Sequence, residues 1–324
     1  MSARGVATRP RATPGEGGAG SLADAPIGVV PIIWNNADLP PSKPPLHPST
    51  VLDEIERLGF AGTQLGVGFP TGDELRRELS ARHLRLAEVY GAIPCQRDGP
   101  AANAPEVARR HLDDLVADGG EVLVVALERS EERDAWVGRA AGAPSLTDDG
   151  WTALGDLLND LGEEAGRSGH EVAFHNHAGT FVETSDELDR LMASTDPRRV
   201  GLCLDVGHAI VGGGDPVAIL ARHGERVTHV HLKDVAPGPA AALREQRLTG
   251  FLPALQARVF APLGSGLLDL PGVLAALANR RYRGWLMVEQ DTSWEPPSEA
   301  AAVGRRVLAS TLRWMTAGTR LRAS

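Results

Sequence analysis

The chain has 324 residues, of which 42% are hydrophobic, and this is enough to bury one large core. Its formal net charge of −9 at pH 7 and its pI near 5.6 argue against a nucleic-acid or membrane partner, because anionic partners need a basic surface. Only Cys95 and Cys203 are present, so we expect no disulfide framework and a cytoplasmic location. Small-molecule chemistry is the expectation that remains.

The first 25 residues are rich in Gly, Ala, Pro and Arg and contain almost no large apolar side chains. Such a segment cannot bury enough surface to offset its ordering entropy, so we predict a disordered tail over 1–25. A transit peptide is the alternative, although the prolines and glycines disfavour an amphipathic helix. We predict a single domain over 26–318 and a short C-terminal tail at 319–324.

From Ile27 onward, short β-rich runs alternate with helical patterns. The strands are predicted at 27–34, 62–66, 84–91, 121–128, 171–179, 201–209, 229–235 and 284–291. The helices are predicted at 49–59, 73–83, 103–118, 148–168, 216–225, 270–280 and 297–316, with another opened by the capping-box residues Thr184 and Glu187. The connection at 236–264 is long enough to suggest a functional lid. Eight βα units predict an α/β fold, a (β/α)8 TIM barrel.

Four histidines occur in pairs that are two residues apart, His175 with His177 and His229 with His231. Because a strand places residues i and i+2 on the same face, both members of each pair point the same way. Each pair lies inside an apolar run that we predict to be a barrel strand. Imidazoles are therefore predicted on one face of two different strands.

Acidic and basic side chains stand at the same ends of the predicted strands. Asp205 and Glu289 each close an apolar run, as do Glu128 and Lys233. Barrel enzymes assemble their sites at these carboxyl ends. Several buried acids and imidazoles without partners would each cost about 1–3 kcal/mol, which a bound cation would offset. Together with the histidines, the pattern indicates a divalent metal site.

Single residues of this kind also have structural interpretations. A lone histidine in a strand is most often a hydrogen-bonded core residue, and we assign this role to His229 because it lies deeper than His231. For Lys233 an ion pair with Asp234 or Glu289 is as good an interpretation as a functional role. Alternation places Cys203 inward as a small core side chain.

Several segments carry a resemblance to a known family. They read PIIWNNADLP at 31–40, GFAGTQLG at 59–66, FHNHAGTFVET at 174–184, LDVGHA at 204–209, HVHLKDV at 229–235, VFAPLGSGLLDL at 259–270 and VEQD at 288–291. The chain resembles the sugar phosphate isomerase/epimerase-like barrels related to xylose isomerase, and within them most closely the inosose (2-keto-myo-inositol) dehydratases. The resemblance covers nearly everything after residue 26.

The resemblance implies one divalent ion, Mn²⁺ or Co²⁺, held by four residues: His175, Asp205, His231 and Glu289. Two imidazoles and two carboxylates suit such borderline ions. Many isomerase relatives have Glu at the position of His175. His177 is the alternative ligand, and we favour His175 because it aligns with that Glu.

The family chemistry implied is removal of water from a keto-inositol or related cyclic keto-sugar through a metal-stabilised enediolate. The alternative is a sugar (phosphate) isomerase or epimerase acting on a ketose. Such isomerases often use two carboxylates on opposite sides of the sugar, and His175 replaces one of them, which favours elimination. The base and acid are then expected to be His177 and Glu289, with His208 contacting substrate.

The substrate, a sugar or cyclitol, is expected to contact Trp34, Asn35, Glu128 and Lys233. The chain departs from the dehydratase pattern at Gln64, where Glu is usual, in the third strand at 87–94, and at 292–294. A phosphodiester hydrolase on the same barrel is a third hypothesis, and the acidic charge balance opposes it. A homodimer or homotetramer is expected by analogy with other barrels.

Overall fold

The computed structural model describes residues 22, 24–36, 38–39, 44–139, 142–293 and 295–323. Almost all of the predicted disordered tail, 1–25, therefore lies outside the described residues. Leu22 is already packed against the main core.

Eight parallel strands close into one barrel, which confirms the predicted (β/α)8 fold. They are β1 (Ile27–Val29), β2 (Gly62–Gln64), β3 (Arg85–Ile93), β4 (Val122–Leu127), β5 (Glu171–His175), β6 (Val200–Asp205), β7 (Val227–Leu232) and β8 (Leu286–Val288). Strands that follow one another in the chain are neighbours in the barrel, and β8 pairs with β1 to close it. The carboxyl ends of all eight strands therefore meet at one mouth.

Helices surround the barrel. They are α1 (Pro48–Arg57), α2 (Gly72–Ala81), α3 (Ala104–Asp118), α4 (Glu131–Asp134), α5 (Asp148–Arg167), α6 (Ser185–Ser194), α7 (Val206–Val211), α8 (Pro216–His223), α9 (Pro237–Arg244), α10 (Phe251–Gln256), α11 (Leu270–Asn279) and α12 (Pro297–Ala323). The predicted capping box is present at α6, where the side chains of Thr184 and Glu187 each accept a backbone N–H. In the described part of the chain, none of these helices has the length and apolarity needed to cross a membrane.

Several predicted strands extend beyond the observed ones, and for two of them the local reason is clear. Pro31 has no N–H to donate to a sheet, and it opens a short 3-10 helix, Pro31–Ile33, directly after β1. Asp205 ends β6 because its side chain caps α7, accepting the backbone N–H of His208 at 2.7 Å. Hydrophobic periodicity alone does not separate a buried strand from a short buried helix that continues it.

Side-chain alternation along the barrel strands matches the prediction. Leu202 and Leu204 of β6 belong to the large core between the strands and the surrounding helices. Cys203, between them, packs in a small cluster with Val124 and Ala173 inside the barrel. Cys203 is fully buried, and burial raises the pKa of its thiol to about 12, so it is a core side chain.

The long connection at 236–264 is folded rather than open. It contains α9 and α10, and its Phe260–Ala261 segment pairs antiparallel with Asp234–Val235. The Asp134 carboxylate accepts the backbone N–H of Phe251 at 2.9 Å and so attaches α10 to the segment after β4. The connection therefore forms a wall beside the barrel mouth, and its predicted role as a lid stays a prediction.

Candidate functional site

The four predicted metal ligands come together at the barrel mouth. His175 ends β5, Asp205 ends β6, His231 lies near the end of β7, and Glu289 follows β8 directly. Each offers one ligand atom, and these atoms all lie within 4.8 Å of one another. All four residues are buried. We refer to these four residues as the metal-ligand cluster.

The polar atoms of this cluster are not satisfied by the protein. Nδ1 of His231 lies 2.7 Å from Glu289 Oε2 and 3.9 Å from Asp205 Oδ2. These three buried atoms nevertheless form no hydrogen bond of proper geometry among the described residues. Buried atoms of this kind are costly unless something binds them. Two imidazoles and two carboxylates fit a divalent cation of the Mn²⁺ or Co²⁺ type.

Asp205 is held by contacts that leave one carboxylate oxygen available. Its Oδ1 caps α7, as described above, and its backbone is clamped by the side chain of Asn176. Asn176 donates to the Asp205 carbonyl at 3.0 Å and accepts the Asp205 N–H at 3.1 Å. Oδ2 is therefore the oxygen that points into the metal-ligand cluster, 3.4 Å from Nε2 of His175.

Lys233 supplies a counter-charge beside the cluster. Its Nζ lies 2.9 Å from Glu289 Oε1, 3.0 Å from Asp291 Oδ2 and 3.6 Å from Asp205 Oδ2. Burial alone would lower its pKa, but these three carboxylates outweigh it and hold the pKa well above its usual range. Lys233 is only 1% exposed, so it is an enclosed ammonium group.

The acids around Lys233 differ in their protonation. Burial opposes ionisation of Asp205 and Glu289, yet the charge of Lys233 beside both holds the pKa of each carboxyl below its usual value. Both are therefore carboxylates at neutral pH, as metal ligands must be. For Asp291 burial dominates and raises the pKa to about 7.

His177 and His208 face each other with their ring centres 3.9 Å apart. Nδ1 of His177 lies 2.7 Å from the carbonyl oxygen of Ala178, which can only accept, so Nδ1 carries the proton and Nε2 has a free lone pair. Burial lowers the pKa of both imidazoles well below the usual value, and Lys233 adds to this effect. Both rings are therefore neutral at pH 7.

Two phenylalanines from the 236–264 connection enclose this pair. The Phe251 ring lies 4.9 Å from that of His177, and the Phe260 ring lies 5.2 Å from that of His208. The folded connection thus builds an apolar wall on the two histidines, which limits the access of water to them.

A cavity of about 740 Å³ opens in front of His177. Glu128, which follows β4, lines it, and its expected contact with substrate stays a prediction. Tyr90 and Arg129 line it as well, and no sequence pattern pointed to either. Arg129 lies 3.4 Å from the Asp38 carboxylate and 4.9 Å from the centre of the Phe251 ring.

Trp34 and Asn35 are not among the residues that line this cavity. The indole N–H of Trp34 donates to Ser298 Oγ at 3.0 Å, and its ring packs in the main core. The Asn35 side chain hydrogen-bonds to the backbone of Leu46. Its amide nitrogen donates to the Leu46 carbonyl at 2.9 Å, and its oxygen accepts the Leu46 N–H at 2.8 Å. In the structure both side chains have structural partners, and their expected contact with substrate stays a prediction.

No sequence pattern pointed to Glu88 of β3 as part of the site. Thr63 and Gln64, which are consecutive in β2, pair with Leu86 and Glu88 of β3. Ala87 is therefore an extra residue in β3, which is a β-bulge. The bulge breaks the two-residue alternation, and Glu88 contacts His229 and His231 inside the barrel. The only signal in the sequence was an acid within an apolar strand.

The electrostatic state of Glu88 follows from these contacts. Burial alone would raise its pKa, but the charges and hydrogen bonds of His231 and His229 hold it well below the usual range. His229, predicted to be structural, is fully buried against this carboxylate.

Known proteins similar to this chain were found by both sequence and structure. The model of the xylose isomerase-like TIM barrel family matches residues 52–311. An inosose dehydratase from Lactiplantibacillus plantarum is 36% identical over 292 residues, which is 88% of this chain and 95% of that protein. The rhizopine catabolism protein MocC of Rhizobium meliloti is 38% identical over 298 residues, 90% of each chain.

Among solved structures, that of an L-ribulose 3-epimerase superposes with a TM-score of 0.69 at 15% identity, covering 93% of this chain and 98% of the other. At this identity the superposition shows a shared fold.

Proposed function

This chain belongs to the xylose isomerase-like TIM barrel family and is an enzyme of the lyase class, and from that premise we propose that it removes water from inosose or a closely related cyclic keto-sugar with the help of one divalent metal ion. The names of its relatives support the substrate class. The observation that carries the metal requirement is the metal-ligand cluster, whose buried ligand atoms converge without partners.

The ion in this proposal is Mn²⁺ or Co²⁺, and it would be held by His175, Asp205, His231 and Glu289. When bound, it would polarise the ketone oxygen and make the adjacent C–H bond more acidic. Asp205 and Glu289 enter the site already ionised, so no proton has to leave them.

His177 is the base in this proposal. Its Nε2 lone pair lies on a neutral imidazole at the edge of the cavity, and the Ala178 carbonyl holds the opposite nitrogen protonated. It takes the proton from the carbon next to the ketone. Because its pKa is low, the protonated ring is a strong acid that returns the proton to the departing β-hydroxyl, so that water leaves. Glu289, the acid expected from the sequence, is better suited to be a ligand because its carboxyl group is ionised.

The remaining residues stabilise and orient the substrate. Lys233, an enclosed ammonium beside the cluster, lowers the energy of the negative charge that develops on the substrate oxygen. Glu128 is exposed on the cavity wall, where its carboxylate can accept hydrogen bonds from the hydroxyl groups of a polyol. The His208 ring packs between His177 and Phe260. We assign to it a contact with the end of the substrate that lies nearest the metal-ligand cluster.

The test is a turnover screen of the purified protein, loaded separately with Mn²⁺ and with Co²⁺, against scyllo-inosose and a panel of ketoses in D₂O. Dehydration gives a cyclic dione that absorbs in the ultraviolet as its enol. An isomerase or epimerase would instead exchange deuterium into an isomer of unchanged mass apart from the label. Absence of the dione with every substrate would overturn the proposal.

A further inference from the structure

A buried carboxylate behind the metal-ligand cluster joins two histidines of β7. Oε2 of Glu88 lies 2.9 Å from Nε2 of His231 and is also in contact with Nε2 of His229. Glu88 and His229 are 0% exposed and His231 is 1% exposed. The group therefore lies wholly inside the barrel, away from the cavity.

The contact determines which nitrogen of His231 is available to a metal. A carboxylate oxygen in this position accepts a hydrogen bond, so Nε2 of His231 donates and carries a proton. Nδ1 lies on the side of the metal-ligand cluster, 2.7 Å from Glu289 Oε2, and it is the nitrogen that binds a metal when it gives up its proton. A ligand histidine that donates its other N–H to a carboxylate is oriented by it and binds metal more strongly.

A second metal ion is a poor explanation of the same group. Glu88, His229 and His231 offer three ligand atoms, and no fourth joins them within the described chain. If one ion were bound at Nε2 of His231 and another at Nδ1, the imidazole would have to lose both protons.

We propose that Glu88 is a positioning residue that holds Nε2 of His231 by this hydrogen bond and so directs Nδ1 to the metal, and that His229 holds Glu88 in place. The β-bulge at Ala87 turns Glu88 inward to make this contact, as bulges beside active sites commonly re-aim a side chain. This inference deepens the proposed function, because it rests on a metal being bound at the metal-ligand cluster.

The test compares Glu88→Gln with the wild type and with a matched control, Asp118→Asn. Gln keeps the shape of Glu88 and removes its charge. Asp118 is also a buried carboxylate, with Oδ1 accepting the N–H of Gly72 and Oδ2 unpaired, but it lies at the end of α3 and away from the cluster. The affinity for Co²⁺ is measured by competition with a chelator. We expect it to fall about 10–100-fold in Glu88→Gln and to stay within about twofold in Asp118→Asn.

A second measurement does not depend on metal. In the metal-free wild type labelled with ¹⁵N-histidine, long-range ¹H–¹⁵N correlations should show His231 protonated at Nε2, with the signal identified by its loss in His231→Gln. A His231 whose Nε2 carries no proton would overturn the inference even if Glu88→Gln does not fold. So would unchanged Co²⁺ affinity in a folded Glu88→Gln, or two ions bound per wild-type chain. A wild type that binds no Co²⁺ would overturn the proposed metal dependence, and the proton on Nε2 would still decide the role of Glu88.

Discussion

Two groups of buried charges lie near the barrel mouth, and they are built differently. In the first, which we call the Arg133 cluster (Arg133, Glu183 and Glu187), every carboxylate oxygen accepts a hydrogen bond. Arg133 contacts both oxygens of Glu187, at 2.6 and 3.1 Å, and the two oxygens of Glu183 accept the N–H groups of Gly138 and Gly179 at 2.8 and 2.9 Å. This cluster fastens the segment after β4 to the segment after β5.

The metal-ligand cluster, by contrast, has a buried atom without a hydrogen-bond partner on each of its four residues. Arg133 and Glu183 are buried as deeply as these ligands, so depth does not distinguish the two places. The difference lies in the carboxylates: those of the Arg133 cluster are hydrogen-bonded through both oxygens and contribute to the fold, whereas those of the metal-ligand cluster each keep an oxygen available for a ligand. This contrast leads to different expected outcomes for substitutions in the two clusters.

The largest effect is expected for Asp205→Asn. Asn caps a helix as well as Asp does, so α7 should be retained while the ligand charge is lost. The Lewis acid is worth several kcal/mol, so kcat/KM should fall by about 10³-fold. Steady-state kinetics measures the loss of activity, and Co²⁺ titration measures the loss of metal affinity. Full activity in this variant would contradict the assignment of Asp205 as a ligand.

The next effect is on stability and belongs to the Arg133 cluster. Arg133→Met leaves Glu183 and Glu187 buried without their counter-charge, and breaking a buried pair in this way costs about 3 kcal/mol or more. Urea unfolding measures the loss. Co²⁺ affinity should be unchanged, since Arg133 contacts Pro144, Glu183 and Glu187, which are not metal ligands. If metal binding fell as far as stability, the two clusters would not be independent.

A smaller effect is expected for His177→Gln. Loss of a general base lowers kcat by about 10²-fold, while Co²⁺ affinity should remain at the wild-type level because His177 is outside the metal-ligand cluster. Kinetics and metal titration on the same preparation test both statements. A variant that loses the ion instead would show that His177, rather than His175, is the ligand.

The smallest effect concerns pH. Burial raises the pKa of Glu183 to about 7, against the opposing effect of the Gly138 and Gly179 N–H groups and the Arg133 charge. The folded pKa is above the unfolded value of 4.5, so the stabilisation is complete below that value and is lost as the pH rises through about 7. The free energy of unfolding should fall by about 1 kcal/mol per pH unit across this window and then level off.

The control for this prediction is Glu183→Gln, which cannot titrate. The difference in unfolding free energy between the two proteins should change between pH 5 and pH 7 and stay constant above pH 8, because all other titrating groups are shared. Parallel pH profiles would contradict the prediction.

Much of the fold could be predicted because it follows simple periodicities, whereas the set of metal ligands was implied by the resemblance to a known family. Apolar runs alternating with helical patterns gave all eight strands, and the i, i+2 spacing of histidines placed His175 and His231 on inward faces. The capping box at Thr184 was read from two residues. In each case the information lies within a few neighbouring residues of the chain.

What the sequence did not reveal depends on contacts between distant segments. Glu88 is turned inward by a bulge, which a strict alternation cannot anticipate. Arg129 reaches the cavity because of where the segment after β4 runs, and Phe251 packs on His177 through α10. Trp34, expected to contact substrate, donates its indole N–H to Ser298, far along the chain, and packs in the core.

The enclosure of Lys233 has a practical consequence. The chain has only two lysines, Lys43 and Lys233, and the second is 1% exposed beneath the Phe260 ring. An amine-reactive label would therefore reach Lys233 only when the wall formed by the 236–264 connection moves away. Mass spectrometry can follow the rate at which the peptide that contains Lys233 gains the label. At a fixed pH this rate reports how readily the mouth opens, and no engineered probe is needed.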